Sequence, residues 1–543
     1  MAAPPALDAR AREQRIAALE AERFDLAVIG AGIGGAGIAR EAARLGLRVA
    51  LVEARDFAAG TSSRSSKLIH GGLRYLALGD VALVRTTALE RKQVRRIAPH
   101  LCEPRWMLVP ARSRTGLVRF QVGLTAYEKL GAIDRADVHR TWSQEDLERE
   151  EPTLDRVRYP WACAYREYLT DDARLVLANL RSAVAEGAVL LSHAPAVSLL
   201  LEGGRAVGVE ARCARSGRSV RVRARAVVNA AGPWVDAVAR LEAAGAPVRL
   251  HLSKGVHVVV PAERLPVRHL AILQTEDRRS IFAIPRGGAV YLGTTDTSYA
   301  GGPDEWPPLT RGDVEYLLAP ANRDFAVVPL RPSDVVAAWA GLRPLIAEPG
   351  KPAREISRKD EVWVGPAGVV TLAGGKLTGY RPMARATLAR AAEVAGLRLA
   401  DPGEEPPLAG GDFDGDLDGL AAALRREAPE LSADGAARLA RLYGSEAREV
   451  LRLGSEPLAP GTPLVAGEID WAATREGAES LEDVHYRRSR AALYDPSARE
   501  AALAPAAARL AALLGWSDAR REEEIAHTRA RLAADLVFEE DAR

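Results

Sequence analysis

The stretch from Asp25 to Glu53 constrains the fold more than any other part of the chain. Asp25-Leu-Ala-Val-Ile29 is a short apolar run of buried-strand type, and Gly30 to Gly37 is a glycine-rich turn. Ile38 to Leu45 continues with helical character, with Ala39, Ala42 and Ala43 small enough for close packing, and Leu47 to Val52 is a second strand that ends on Glu53. This predicts a strand–turn–helix–strand unit with a short crossover. Within it, Gly30, Gly32 and Gly35 form a G-x-G-x-x-G. The first glycine allows a sharp turn, the second lets the backbone approach a pyrophosphate, and the third lets the helix pack on the strand. The helix N-terminus adds free N–H groups and a positive dipole end. Glu53 follows where a carboxylate can accept hydrogen bonds from ribose hydroxyls, and its charge disfavours a 2′-phosphate. The pattern points to a dinucleotide other than NADP, and by itself does not separate NAD from FAD.

The rest of the chain sets bounds. Its 543 residues allow roughly three domains or one large interwoven enzyme. At 48% hydrophobic and 27% charged it has the composition of an ordinary globular protein, and its formal net charge of +2 favours no nucleic-acid partner. Cys102, Cys163 and Cys213 match neither a disulfide framework nor a zinc site, so we expect a reducing compartment, cytoplasmic, and no metal. Residues 1–22 lack the apolar core of a secretory signal, and no apolar run reaches the ~18 residues of a membrane span. Any membrane contact is therefore expected to be peripheral, on the inner face of the cell membrane.

Residues 1–22 read as a polar helical lead-in, and Asp80 to Ile97 as an amphipathic helix. Asp171 and Asp172 cap a helix running through Leu180. Antiparallel strands are expected from Ala188 to Asn229, and a second β-rich region from Val256 to Gly293, with the Arg286-Gly-Gly288 turn closing a hairpin. Gly374 to Ala395 is a glycine turn followed by a helix. Prolines, glycines and acidic residues after Ala400 have linker chemistry, so 401–410 is expected to connect to a separate C-terminal helical domain, 411–543.

A block from Thr61 to Tyr75 (Thr-Ser-Ser-Arg-Ser-Ser-Lys-Leu-Ile-His-Gly-Gly-Leu-Arg-Tyr) is dense in hydroxyls, then glycines, then an Arg-Tyr pair. It resembles the signature of the FAD-dependent, quinone-linked glycerol-3-phosphate dehydrogenases. Asp171 to Asn179, Asn229 to Trp234, Lys254 to Val260, Gly293 to Asp296, Gly341 to Pro344 and Gly374 to Thr378 resemble further motifs of that family in its order. The resemblance covers about Phe24 to Ala395. It implies a doubly wound, glycine-oxidase-like FAD domain (α/β and α+β overall) with an inserted antiparallel β substrate domain and a C-terminal helical domain. The FAD domain would be discontinuous, about 23–100, 150–245 and 335–400, and the substrate domain about 101–149 and 246–334. The cofactor contacts it implies are Gly30, Gly32, Gly35, Glu53, Thr61, Ser62, Ser66, Lys67, His70, Gly71, Gly72, Ala230, Gly232, Trp234, Gly375, Lys376, Leu377 and Thr378. Gly379 stands where relatives often carry a second Thr or Ser, which leaves Thr378 as the hydroxyl there.

The implied reaction oxidises sn-glycerol 3-phosphate, a phosphate ester with a secondary alcohol, and gives the electrons to a membrane quinone. Cations must hold the phosphate, a base must take the hydroxyl proton, and FAD must receive hydride. Arg343 is the first phosphate candidate because a guanidinium binds phosphate oxygens bidentately, with Arg74 and Lys376 next. Lys376, after two glycines at a helix start, also suits stabilisation of negative charge on reduced flavin. His257 is the leading proton acceptor, with Tyr75 as a residue that orients the hydroxyl. The alternatives are an oxidase version that uses oxygen and an amine or amino-acid oxidase of the same superfamily. The oxidase tends to carry an extra central insertion, which is not evident between Trp234 and Trp339; the amine oxidase needs no cluster of phosphate-binding cations. The oligomeric state, a homodimer included, is left open.

Overall fold

In the computed structural model, which describes residues 7–71, 81–131, 133–303, 306–348, 350, 356 and 359–540, the apolar run after Arg23 becomes a central strand. Arg23–Ile29 pairs in parallel with Val49–Val52 on one side and Ser219–Asn229 on the other. The sheet extends in the order Asp360–Val364, Val370–Gly374, Ser219–Asn229, Arg23–Ile29, Val49–Val52, Val189–Leu191, and a meander through Ala196–Glu202 and Arg205–Arg212 feeds into it. Leu26 and Val28 enter one hydrophobic core, Phe24, Ala27 and Ile29 another. Burial on both faces is why this strand reads as continuous apolar sequence rather than as an alternation. The helix Ile33–Arg44 leaves the glycine turn and packs on Asp172–Ala185 and Tyr380–Ala395. A Cβ at Gly37 would lie 2.9 Å from the Tyr380 ring, so the small residues there permit that approach.

The second sheet is mostly antiparallel. Its longest strand, Leu250–Pro261, lies between Ala289–Gly293 and Ala337–Ile346, and the sheet continues through Ser280–Arg286, Leu270–Gln274, Glu103–Ala111 and Trp161–Leu169 to Leu68–Ile69. Leu270–Gln274 against Glu103–Ala111 is a parallel pairing within it. Three segments expected in the FAD domain, Leu68–Ile69, Trp161–Leu169 and Ala337–Ile346, are strands of this sheet. Trp161–Leu169 pairs along its length with Glu103–Ala111, and Ala337–Ile346 with Leu250–Pro261. These long ladders bind both strands to the second sheet.

The C-terminal helices form, but they are not a separate body. Leu481, Val484, Leu503 and Leu510 share one core with Tyr291 and Trp339 of the second sheet. Phe538–Glu539 adds in parallel to Leu309–Thr310. The expected linker is pinned as well: Glu405 is buried between Arg40 and Arg381, and Leu408 is buried beside Ile97. Nor is the lead-in helix Arg12–Ala21 merely polar, since Ile16 and Leu19 are fully buried and Arg12 pairs with Glu479 at 2.6 Å. Among the described residues, no helix is long and apolar enough to cross a membrane.

Candidate active site

The glycine turn has the geometry its spacing predicts. Gly30 holds φ +103°, and a Cβ there would lie 2.7 Å from the Ala230 carbonyl oxygen. A Cβ on Gly35 would lie 1.9 Å from the Gly30 oxygen, so the helix approaches the strand only with glycine at this position. Glu53 accepts hydrogen bonds from the N–H groups of Ala31 (2.6 Å) and Arg55 (3.0 Å). Burial pushes its carboxyl above the usual range despite those donors.

The hydroxyl block bridges the two sheets. Ser62 Oγ accepts from the Ile33 N–H at 2.9 Å, at the mouth of the glycine-turn helix. Thr61 Oγ1 donates to the Leu342 carbonyl at 2.5 Å on the second sheet, and a Cβ on Gly341 would lie 2.7 Å from the Arg64 oxygen. Gly60 abuts the Trp234 ring, which carries the Arg55 guanidinium at 4.8 Å, so the Ala230–Gly232–Trp234 loop joins the same assembly. From the other side Thr378 Oγ1 donates to the His70 carbonyl at 3.2 Å. Lys376 stands at the start of the turn Leu377–Gly379, after Gly374 (φ +75°) and Gly375 (φ +82°). Gly71 lies against Tyr127, where a Cβ would meet the phenol oxygen at 1.7 Å. Gly72, Arg74 and Tyr75 lie outside the described residues.

Lys67 ties the loop to the core beneath it. Its ammonium is fully buried, donating to the Ser63 carbonyl (2.9 Å) and to Asp172 (3.1 Å), 4.5 Å from the centre of the Trp339 ring. Burial pulls its pKa down to about 7. The side chain holds the loop through the Ser63 carbonyl and Asp172.

His257 and Arg343 share one face of the second sheet. Side chains alternate along a strand, so Ser253, Gly255 and His257 point one way, and Arg343, Gly341 and Trp339 across from them point the same way. The His257 ring stacks on Trp339 (4.9 Å between centroids, 12° between planes), and its Nε2 lies 2.9 Å from Ser66 Oγ. Nδ1 is buried without a hydrogen-bond partner among the described residues. Burial first, then repulsion from Lys67 and Arg343, holds this imidazole well below its ordinary pKa, so it is neutral. Arg343 reaches Thr294 Oγ1 (2.9 Å), the Thr295 carbonyl (3.2 Å) and Asp296 (3.3 Å). Its guanidinium lies over Gly255, where a Cβ would come within 2.3 Å, and His257 fills the space before Gly293, where a Cβ would come within 2.1 Å. The two glycines give these two side chains their room.

Sequence reasoning missed the support behind this face. Asp171 caps the helix Asp172–Ala185 as expected, but Asp172 turns back to hold Ser65 and Lys67 and meets Arg490 from the C-terminal helices. Asp56, His193 and Asp483 bring ligand atoms within 4.8 Å of one another, yet Arg487 and Arg488 occupy that cluster. The run Arg487-Arg488-Ser489-Arg490 was the available signal, in a chain where arginine is too common to stand out.

These residues fit a flavin dinucleotide. The cradle at Gly30, Gly32 and Gly35 is one that Cβ atoms would fill; a helix N-terminus faces it, a carboxylate closes it, and the three loops near Ser62, Gly232 and Thr378 adjoin it. Comparisons with known proteins agree. Residues 25–381 match the FAD dependent oxidoreductase family, and residues 403–521 match the C-terminal domain of alpha-glycerophosphate oxidase. The aerobic glycerol-3-phosphate dehydrogenase of Staphylococcus haemolyticus is 40% identical over 79% of each chain, and that of Bacillus subtilis 36% identical over 89% of this chain and 90% of its own. The structure of the glycerol-3-phosphate dehydrogenase from Bacillus halodurans, complexed with FAD, superposes with a TM-score of 0.81 at 32% identity, covering 99% of this chain and 100% of that one. The L-alpha-glycerophosphate oxidase of Mycoplasma pneumoniae, at 17% identity and a TM-score of 0.54, shares the fold over 70% of this chain. With FAD as its cofactor and an oxidoreductase site around it, the chain belongs to the family of aerobic glycerol-3-phosphate dehydrogenases.

Proposed function

We propose that this enzyme oxidises sn-glycerol 3-phosphate to dihydroxyacetone phosphate and passes the electrons to a membrane quinone. The observation that carries this reading is a buried neutral histidine beside a guanidinium on one glycine-cleared face, His257 with Arg343. A secondary alcohol needs the first and a phosphate the second.

Arg343 holds phosphate oxygens, with Arg74 and Lys376 as the further cations. His257 accepts the hydroxyl proton, its ring oriented by Ser66 Oγ at Nε2 and by the Trp339 stack. Starting neutral, it is ready to take the proton across the physiological range. Tyr75 orients the hydroxyl. FAD, when bound, supplies the hydride acceptor for the carbinol carbon. Gly30, Gly32, Gly35 and Glu53 hold its dinucleotide end; Thr61, Ser62, Ser66, Lys67, His70, Gly71 and Gly72, Ala230, Gly232 and Trp234, and Gly375, Lys376, Leu377 and Thr378 line the remainder. The guanidinium of Arg343 near His257 favours an anionic substrate over an amine.

A quinone acceptor requires contact with a lipid surface. The helix Arg114–Leu130 supports that requirement, exposing Val118 (54%), Phe120 (41%) and Val122 (65%) beside Arg119. The acceptor is tested by turnover with a quinone analogue against peroxide formation in air. Quinone reduction with little peroxide is expected; peroxide formed in step with substrate oxidation would make the enzyme an oxidase.

A further inference from the structure

Behind the flavin-side loop lies a buried charge cluster drawn from opposite ends of the chain. Arg490, between the π-helical turn Asp483–Arg488 and the helix Ala491–Tyr494, is 1% exposed and sits in the left-handed region at φ +63°. A non-glycine residue keeps that conformation only where its surroundings over-determine it. Nearly all of its donors are engaged: Nε to Asp171 (3.1 Å), Nη1 to the Tyr486 carbonyl (2.6 Å), and Nη2 to Asp172 (2.9 Å) and the Ser63 carbonyl (3.2 Å).

Asp172 carries the contact onward. Its other oxygen accepts from the Ser65 N–H (3.0 Å), Ser65 Oγ (2.7 Å) and the Lys67 ammonium (3.1 Å). The next residue, Ser66, meets His257 Nε2 at 2.9 Å, and Lys67 lies 4.5 Å from the Trp339 ring on which His257 stacks. Both supports of the imidazole therefore rest on one carboxylate, and a C-terminal arginine fixes that carboxylate.

We infer that Arg490 is a positioning residue for His257, acting through Asp172 on the 63–67 loop, so that the C-terminal helices complete the geometry of a site they do not line. The inference rests on the reading of His257 as proton acceptor. Removing the guanidinium leaves Lys67 as the only cation on Asp172 among the described residues and releases the Ser63 carbonyl. The loop then gains freedom, and Ser66 loses its fixed approach to His257.

The test compares holoenzymes. Arg490→Met breaks the link. Glu476→Gln breaks a different buried inter-region pair, Glu476 with Arg174 (2.6 Å), which does not reach the loop. Arg490→Met is expected to cut the rate of anaerobic flavin reduction per bound flavin about tenfold or more, with KM changed by less than about threefold. Backbone hydrogen exchange in a peptide spanning residues 61–70 should speed up in Arg490→Met and stay native in Glu476→Gln. Because the two effects travel one path, Ser66→Ala added to Arg490→Met should cost no more than about threefold further. A native rate per flavin despite a lowered Tm, unchanged exchange in 61–70, or fully multiplicative Ser66→Ala and Arg490→Met effects would each overturn the inference. If Arg490→Met yields no holoenzyme, Arg490→Lys, which keeps the charge but cannot bridge both aspartates, is read the same way. If the native enzyme is not reduced by glycerol 3-phosphate, the functional reading fails on its own, while exchange in 61–70 still judges the link.

Discussion

Gly293→Ala tests the geometry around His257 while leaving the imidazole itself in the chain. Gly293 pairs with His257 across the two strands, and an added Cβ would lie 2.1 Å from Cδ2 and 2.7 Å from Nε2. Carbon atoms in contact sit about 3.5–4.0 Å apart, so ring and methyl must separate by about 1.5 Å. Trp339, stacked at 4.9 Å, limits one direction of escape, and any displacement weakens the 2.9 Å bond to Ser66. Losing a buried hydrogen bond with its groups left unsatisfied costs ~1–3 kcal/mol, and overpacking a filled site another ~1–3 kcal/mol. We expect about 2–6 kcal/mol of stability lost. A misplacement of ~1 Å at a reacting group costs about 10²-fold in rate, so flavin reduction at saturating substrate should fall by about that factor. The assay is anaerobic stopped-flow absorbance, normalised to bound flavin, with a thermal melt of the same preparation. His257→Ala sets the floor, and Gly293→Ala should approach it within about tenfold. A Gly293→Ala enzyme with more than about a third of the native rate would refute the argument that the exact seat of this imidazole limits turnover.

Gly255→Ala should act on the other half of the site: its Cβ would meet Arg343 Nη2 at 2.3 Å, so KM for glycerol 3-phosphate should rise about tenfold with a smaller change in kcat, and steady-state kinetics with the opposite split would contradict the phosphate role of Arg343. His257 is depressed by burial and by its cationic neighbours, so the rate of flavin reduction should not fall as pH is lowered from about 7 to about 6, and a loss of rate on acidification centred near the ordinary histidine value of ~6.5 would argue against it as the acceptor. Glu405 is held at about 2, because Arg381 and Arg40 outweigh the burial that would raise it. Its folded pKa lies below its unfolded one, so its contribution, about 3 kcal/mol, is complete above pH ~4.5 and fades as pH falls toward ~2. Glu405→Gln should lower the Tm at neutral pH and flatten its fall through that window.

The sequence carried those features whose cause is local. The Gly30–Gly35 turn is dictated by backbone space; the strand Arg23–Ile29 by burial on both faces; the hairpin at Arg286–Gly288 by its two glycines; and the Asp171 cap by one side chain reaching three residues on. His257 and Arg343 could be picked out from strand alternation and motif position, but their shared face depends on a register that only the paired strands reveal. What was illegible is long-range. Trp161–Leu169 and Ala337–Ile346 change sheets because of partners far away in sequence, and the pairing of Lys67 with Asp172 spans 105 positions. The residues after Ala400 have a linker's composition, yet Glu405 is anchored by arginines 365 and 24 positions away. Composition reports the flexibility of a free segment, and a buried ion pair overrides it.

The central claim is that glycerol 3-phosphate delivers its electrons to the flavin seated on the Gly30 turn. Anaerobic titration of the holoenzyme with sn-glycerol 3-phosphate, followed by flavin absorbance, tests it most directly. We predict bleaching that saturates near one equivalent of electron pairs per flavin, with dihydroxyacetone phosphate formed in step and no bleaching by glycine or sarcosine. A flavin that stays oxidised in glycerol 3-phosphate, or that is bleached by the amines instead, would contradict the account.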